Sequence, residues 1–129
     1  MIVLDTHIWI WWVNDSPRLT EQHKIWIQDY QSQGLGISII SCWEIAKLVE
    51  KNKLVLSMTV DEWLKAALAY PRVQLLNLNV PIVVQSTQLT GFHNDPAAQI
   101  IVATAKIYDC LLLTADGKIL NYAGVKTLK

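Results

Sequence analysis

The sequence predicts a three-layer α/β/α fold, in which a central, mostly parallel sheet is covered by helices on both faces. Short, continuously apolar runs such as 2–4 and 111–113 are typical of strands that are buried on both sides. Segments with helical start and stop patterns alternate with these runs along the chain. No repeat, linker or low-complexity stretch divides the 129 residues, so we expect residues 1–129 to form a single domain.

The individual elements follow from local patterns. The run 2–4 ends at Asp5, and the helix after it is stopped by the turn-forming residues 14–17. Asp95-Pro96 starts a later helix, because aspartate is a preferred N-cap and proline fits the first helical position. Two helices open on capping boxes, Ser41 with Glu44 and Thr59 with Glu62. The predicted strands cover 2–4, 36–39, 73–78, 111–113 and 125–128, and the predicted helices cover 6–13, 20–34, 41–51, 59–70, 80–89 and 96–107, with a helical turn after Asp116.

The composition excludes several classes of protein. Apolar residues make up 52% of the chain, which excludes intrinsic disorder. The formal net charge is zero, which argues against a protein that coats nucleic acid non-specifically. The longest apolar run, 8–13, is far shorter than the roughly 20 residues that cross a bilayer, and the first residues do not resemble a signal peptide. We therefore expect a soluble, cytoplasmic protein whose Cys42 and Cys110 are small buried hydrophobic residues.

Four acidic residues fall where a parallel sheet gathers its ligands. Asp5 and Asp116 follow predicted strands, and Glu44 and Asp95 lie at the starts of helices. Because strand carboxyl ends and helix N-termini share one edge of such a sheet, we expect the four side chains to line one pocket of negative potential. Carboxylates packed together repel one another unless cations neutralise them, and their hard oxygen atoms suit Mg²⁺ or Mn²⁺.

A purely structural role is the alternative for each of these residues. Asp5, Asp95 and Asp116 each stand where a helix cap is needed, and Glu44 completes a capping box with Ser41. Capping alone does not explain why one edge would collect acidic residues without a lysine or arginine to offset them.

Six segments, in this order and spacing, resemble the PIN-domain family and, more narrowly, its VapC-type toxins. Each segment is weak alone, but together they cover the chain from end to end. They are Ile2-Val3-Leu4-Asp5-Thr6-His7, Trp12, Ser41-x-x-Glu44-Ile45-Ala46, His93-x-Asp95-Pro96, Ile100-Ile101-Val102-Ala103-Thr104-Ala105 and Leu113-Thr114-Ala115-Asp116.

The resemblance implies an endoribonuclease toxin that hydrolyses RNA phosphodiesters with a divalent metal, Mg²⁺ or Mn²⁺. Asp5, Glu44 and Asp116 match the family's metal-binding carboxylates, and Thr114 matches a hydrogen-bonding neighbour. The catalytic set implied is Asp5, Glu44, Asp95 and Asp116, with Thr6 and Thr114 in support.

The sequence departs from the family at one acidic position. The family carries a carboxylate two residues before the Ile-Ile run, where this chain has Ala98. With Asp95 as N-cap, Ala98 is the third helical residue, and its Cβ is expected to face the same pocket. Alanine cannot bind a cation, so we expect cleavage to be weakened or lost. A decayed natural site and an introduced substitution both fit, and the retention of the other acidic positions favours the second.

The first predicted helix is unusually rich in tryptophan. Trp9 and Trp12 lie three residues apart and share a face, while Trp11 falls elsewhere on the helix. They are either core residues or a partly exposed aromatic groove, and such grooves mark partner sites. The resemblance places an antitoxin near this helix and implies a homodimer. His7 and His93 flank the acidic edge, where proton transfer or a structural role is possible for each.

Two rival functions follow from the same residues. A catalytically inert PIN scaffold that binds an antitoxin is favoured by Ala98. A receiver-like phosphoacceptor domain also gathers acids at strand ends, but it needs an early acidic pair and a late lysine that this sequence lacks.

Overall fold

Strands and helices alternate along the residues that the computed structural model describes, which are 1–89, 91–92 and 94–129. The strands are β1 (Ile2–Leu4), β2 (Leu35–Ser38), β3 (Val73–Leu76), β4 (Leu111–Leu113) and β5 (Thr127–Leu128). The helices are α1 (Thr6–Val13), α2 (Glu21–Tyr30), α3 (Ile39–Glu50), α4 (Val60–Leu68), α5 (Val80–Thr87), α6 (Pro96–Ile107) and α7 (Gly117–Leu120).

The five strands form one parallel sheet in the order β3-β2-β1-β4-β5. Side chains along a strand alternate between its two faces. Ile2 and Leu4 of β1 accordingly pack with residues of α1 to α4, whereas Val3 packs with residues of α6 and α7. This two-sided core confirms the predicted α/β/α layers and explains why β1 is entirely apolar.

The parallel sheet brings the segments that follow its central strands to one edge. The backbone N–H of Asp5 donates to the carbonyl of Leu113 at 3.0 Å, so the ends of β1 and β4 stay side by side. The neighbouring strand β2 leads directly into α3, which begins at the same edge. Functional groups at these three strand ends are therefore close together in space.

The predicted start of α3 is wrong. Ser38, the last residue of β2, is the N-cap, and its hydroxyl accepts from Ile40 N at 3.2 Å. Ser41 lies inside the helix and is fully buried, so it does not form a capping box with Glu44. Ser41 and Glu44 fit the capping-box pattern in sequence, but Ser38 is the serine that stands where the buried strand ends.

Other element ends also differ from the predictions. Thr59 caps α4 by accepting from Glu62 N at 3.2 Å, as predicted, but among the described residues the Glu62 side chain does not return the second bond of the predicted capping box, and the helix ends at Leu68. β3 and β5 are the two edge strands and are shorter than predicted. α2 ends at Tyr30 and α5 at Thr87, short of the predicted 34 and 89. Edge strands and frayed helix ends lack packing partners on one side, and local patterns overestimate their length for that reason.

Within the described part of the chain, no helix has the length and apolar character that crossing a membrane requires. Cys42 is buried, as predicted. Cys110 is only partly buried, which corrects the prediction for that residue, because it lies just before β4 at the rim of the sheet.

Candidate active site

Asp5 is held at the end of β1 by two hydrogen bonds that use both carboxylate oxygens. Its Oδ1 accepts from the backbone N–H of Thr6 at 2.9 Å, which caps α1. Its Oδ2 accepts from the Thr114 hydroxyl at 2.6 Å. Thr114 is fully buried, and its oxygen also accepts from Asp116 N at 3.0 Å. Thr114 therefore fixes the orientation of one acidic residue and the backbone position of another.

Glu44 is held by a second hydroxyl, on α1. The Thr6 hydroxyl donates to Glu44 Oε1 at 2.6 Å and lies 2.8 Å from the Ser41 hydroxyl. Because Thr6 has a single hydroxyl hydrogen, which goes to the carboxylate, Ser41 is the donor to Thr6. Ser41 and Thr6 are both buried, so this series of hydrogen bonds links α1 to α3 beneath Glu44.

Asp95 and Asp116 are helix caps, as the structural interpretation predicted. Asp95 Oδ1 accepts from Ala97 N at 3.1 Å at the start of α6. Asp116 Oδ1 accepts from Lys118 N at 2.8 Å at the start of α7. An ionised carboxylate has two oxygens with about four acceptor sites, so a capping hydrogen bond does not prevent it from also facing a ligand.

All four acidic residues line one pocket of about 330 Å³. The clustering that the sequence predicted is therefore confirmed. Among the described residues, no lysine or arginine lines this pocket. The full lining is Asp5, His7, Trp11, Glu44, Asp95, Ala98, Ala115, Asp116 and Gly117.

Ala98 faces this pocket from the first turn of α6. It is 6% exposed and lines the cavity together with the four acidic residues. Asp95 is the N-cap and Pro96 the first helical residue, so Ala98 is the third, as predicted. A longer acidic side chain at this position would extend into the same cavity.

The electrostatics of the pocket disfavour carboxylate charge. Burial raises the pKa of Asp5, against the hydrogen bond from Thr114, and the charge of Asp116 adds to the rise. Burial also raises the pKa of Glu44, and the charges of Asp95 and Asp5 add to it. A bound cation would have the opposite effect, because it stabilises the ionised form of each carboxyl.

The donor set fits a hydrated divalent cation better than an ion fully enclosed by protein. Among the described residues, no three His, Cys, Asp or Glu side chains stand close enough to hold a single ion. Mg²⁺ usually keeps several of its waters and binds through one or two carboxylates. One or two of Asp5, Asp116 and Glu44 would bind such an ion directly and the remainder through its waters, since their oxygens are hard ligands and no described lysine or arginine lines the pocket.

Two of the three tryptophans on α1 belong to the packed interior. Trp9 is fully buried and packs edge-on against Trp63, with ring centroids 5.3 Å apart. Trp12 is partly buried against Tyr70 at 5.2 Å. The prediction that Trp9 contacts a partner is therefore wrong, because a fully buried indole offers no surface.

Trp11 lies in the wall of the acidic pocket and also in that of a second groove. Its ring lies 6.0 Å from the ring of His7, which is exposed at the pocket mouth. The second groove, of about 250 Å³, shares both residues and continues along α1 and α3. His93, which the sequence places beside this edge, lies outside the described residues.

The fold and the site together define the class of protein: an α/β/α domain with a carboxylate-lined pocket at the carboxyl edge of a parallel sheet. The sequence profile of the PIN domain matches residues 2–125. The chain belongs to the PIN-domain family.

The relatives found by sequence and by structure agree with this assignment. Ribonuclease VapC22 from Mycobacterium tuberculosis is 26% identical over 122 residues, which cover 94% of this chain and 91% of that protein. The fold resembles the structure of VapBC2 from Rickettsia felis bound to a promoter DNA fragment, with a TM-score of 0.75, 17% identity, and coverage of 99% of this chain and 98% of the other. It also resembles FitAcB from Neisseria gonorrhoeae, with a TM-score of 0.68, 22% identity, and coverage of 100% and 97%.

Proposed function

We propose that this chain is a divalent-metal-dependent endoribonuclease of the toxin class, acting in the cytoplasm, whose activity is weakened by Ala98. The observation that carries the proposal is the pocket itself. Four carboxylates from four separate segments of a PIN fold line one cavity, and no described lysine or arginine in its wall offsets them. This arrangement does not serve stability. Burial and mutual repulsion raise the pKa of Asp5 and of Glu44, which means that their ionised forms are disfavoured in the folded protein.

The residues of the chain orient the site for an ion and a phosphodiester. Thr114 and Thr6 each use one short hydrogen bond to fix Asp5 and Glu44. Mg²⁺ or Mn²⁺ in the pocket would supply Lewis-acid chemistry that activates water and offsets charge on the phosphate. The fixed carboxylates favour a divalent cation, which would offset their charge beside the scissile phosphate.

The weakening follows from the character of position 98. Ala98 presents only a methyl group to a wall that also holds four carboxylates. One ligand fewer lowers the affinity for the cation and leaves less negative charge to hold it. Removing one charge-stabilising group at such a site typically costs about 10²–10³-fold in rate.

The proposal is tested by incubating the purified chain with labelled single-stranded RNA and Mg²⁺ or Mn²⁺, with and without a chelator. We expect slow cleavage or none from the native chain, and faster, chelator-sensitive cleavage from Ala98→Asp. Cleavage that survives the chelator would contradict the proposal.

A second candidate function, a scaffold that binds an antitoxin without cleaving RNA, is favoured by the same methyl group at position 98. The groove beside the acidic pocket is lined by Trp11 and by apolar residues of α1 and α3. A protein segment lying there could place an arginine or lysine into the acidic pocket, where it would neutralise the carboxylates in place of a cation. Ala98→Asp distinguishes the two candidates. It should restore RNA cleavage to a weakened endoribonuclease, whereas an inert scaffold carrying this substitution should still not cleave RNA.

We also propose that the protein is a homodimer. A hydrophobic face on and before α5 supports this, because Val80 is 75% exposed and Val83 and Val84 are each nearly half exposed. Large exposed apolar patches on small proteins are usually covered by a partner. In a two-fold symmetric dimer each subunit contributes the same surface patch, so the α5 face of one subunit would pack against the α5 face of the other.

A further inference from the structure

Trp43 is an exception among the tryptophans of this protein. Trp9, Trp11, Trp12, Trp26 and Trp63 each pack against another aromatic ring. Trp43 is 53% exposed, and no ring contact involves it among the residues that the structure describes. A flat indole in this position leaves a face free for stacking.

Trp43 lies on α3 one turn before a row of lysines, Lys47, Lys51 and Lys53, which we call the basic ridge. Trp43, Lys47 and Lys51 are four residues apart, so they follow one another along the same side of the helix. Lys53 lies in the turn that follows. A groove of about 390 Å³ runs beside this ridge and is lined by Trp43, Glu44, Lys47, Leu48, Lys51, Lys53 and Asp95.

This groove adjoins the acidic pocket. Glu44 and Asp95 line both cavities, so an RNA strand bound in the pocket could extend into the groove. The two carboxylates lie at the pocket end, and the three lysines follow along α3. From Glu44 to Lys51 the helix rises about 10 Å, enough for up to about three nucleotides at the spacing of one strand.

The lysines are available to an incoming anion. Lys47 pairs with Glu50 at 3.1 Å, but both side chains are largely solvent-exposed, and such a surface pair is weak. In the described part of the chain, Lys51 and Lys53 have no ion pair. Phosphate groups could therefore contact all three lysines without breaking a buried interaction.

We propose that this groove binds single-stranded RNA next to the scissile phosphate, with one base stacked on Trp43 and the adjoining phosphates paired with Lys47, Lys51 and Lys53. The proposal rests on the proposed function and specifies its substrate as unpaired RNA. Bases in a duplex are already stacked on both faces, whereas an unpaired base can be splayed out onto an aromatic side chain. Charge alone would also suit an acidic peptide. The free indole and the shared wall with the acidic pocket favour RNA.

The binding test uses a short, mixed-sequence single-stranded RNA that contains 2-aminopurine, in chelator and at low salt. Stacking on Trp43 is expected to quench the 2-aminopurine fluorescence. Trp43→Ala should abolish the quenching and weaken binding by about fivefold to 100-fold, whereas Trp43→Phe should retain part of both. Because Trp43 is on the surface, neither change is expected to alter the thermal midpoint of unfolding.

The phosphate contacts are tested by charge reversal. Lys51→Glu should weaken binding and lower the slope of log affinity against log salt by about 0.7. The matched control is Lys126→Glu, because Lys126 is exposed beside Asp109 at the opposite edge of the sheet and should leave binding unchanged. Absence of quenching by the native chain, equal binding of duplex RNA, or unchanged binding by Trp43→Ala would overturn the proposal. Loss of antitoxin affinity in Trp43→Ala, with RNA binding intact, would assign the groove to protein instead.

Cleavage is measured separately in the Ala98→Asp background. If Ala98→Asp cleaves RNA and adding Trp43→Ala changes neither binding nor rate, the groove proposal fails and the proposed function stands. If RNA binding depends on Trp43 but Ala98→Asp does not cleave, the proposed function fails and the groove stands.

Discussion

Replacing Thr114 by valine tests how the acidic pocket is held together. The change keeps the shape of the side chain and removes one hydroxyl, which donates to Asp5 at 2.6 Å and accepts from Asp116 N at 3.0 Å. A hydrogen bond to a charged group is worth about 1.5–3 kcal/mol, and the partly buried Asp116 N–H loses a neutral hydrogen bond worth about 0.5–1.5 kcal/mol. We expect Thr114→Val to lower the free energy of unfolding by about 2–4 kcal/mol at neutral pH.

The loss should depend on pH, because burial raises the pKa of Asp5 and the Thr114 hydroxyl opposes that rise. Without the hydroxyl, the pKa of Asp5 rises further. Well above this pKa, Asp5 is ionised in both proteins and the full charged hydrogen bond is lost. Below about pH 3.9, the ordinary pKa of an aspartate, Asp5 is mostly protonated in both folded proteins because its pKa is raised, and only a neutral hydrogen bond worth about 1 kcal/mol is lost. The cost of the substitution should therefore shrink as the pH falls.

The assay is denaturant unfolding of the metal-free protein at both pH values, with Thr104→Val as the control. Thr104 is equally buried, but its hydroxyl donates to the carbonyl of Ile100 within α6 and, among the described residues, has no hydrogen bond to a charged group. We expect this control to change stability by less than about 1 kcal/mol and without pH dependence. An equal loss at both pH values for Thr114→Val would refute the reasoning.

Three further predictions address the charge, the partner and the dimer. Asp5→Asn should stabilise the metal-free protein above the raised pKa of Asp5, because ionised Asp5 weakens the fold. In denaturation experiments the gain should shrink as the pH falls below that raised pKa and vanish below the ordinary pKa of an aspartate. Trp11→Ala should weaken antitoxin affinity by about tenfold or more in titration calorimetry, whereas Trp43→Ala should leave it unchanged; equal effects would refute the assignment of the groove. Val84→Lys should shift the protein toward monomer in sedimentation, whereas Ile25→Lys, equally exposed on α2, should not; a monomeric native chain would refute the dimer.

The parts of the fold that the sequence predicts well are those decided by local chemistry. β1 and α1 have the predicted limits, because a three-residue apolar run is followed at once by Asp5, which caps the helix. Asp95 and Asp116 likewise act as the predicted caps. The clustering of the carboxylates also follows from the sequence, since it requires only the order of strands and helices and the rule that parallel strands share a carboxyl edge.

What the sequence does not reveal depends on contacts between distant segments. Ser41 was assigned to a helix cap, but its hydroxyl lies 2.8 Å from that of Thr6, 35 residues away. No periodicity reports such a contact, and the only local sign was a serine inside an otherwise apolar stretch. Trp9 and Trp11 have similar neighbours in sequence, yet one is enclosed by Trp63 and the other lines the pocket. Their different exposures follow from the placement of α4 and α3, which local patterns do not supply.

The central claim is that the acidic pocket is a metal-dependent ribonuclease site missing one carboxylate. The most direct test compares RNA cleavage by the native chain, Ala98→Asp and Ala98→Asn in Mg²⁺ or Mn²⁺, with and without a chelator. Asparagine matches aspartate in size but brings no charge. We predict that Ala98→Asp cleaves about 10²–10³-fold faster than the native chain, that the chelator abolishes this activity, and that Ala98→Asn stays slow. Equal rates for all three proteins, or a native chain as fast as Ala98→Asp, would contradict the claim.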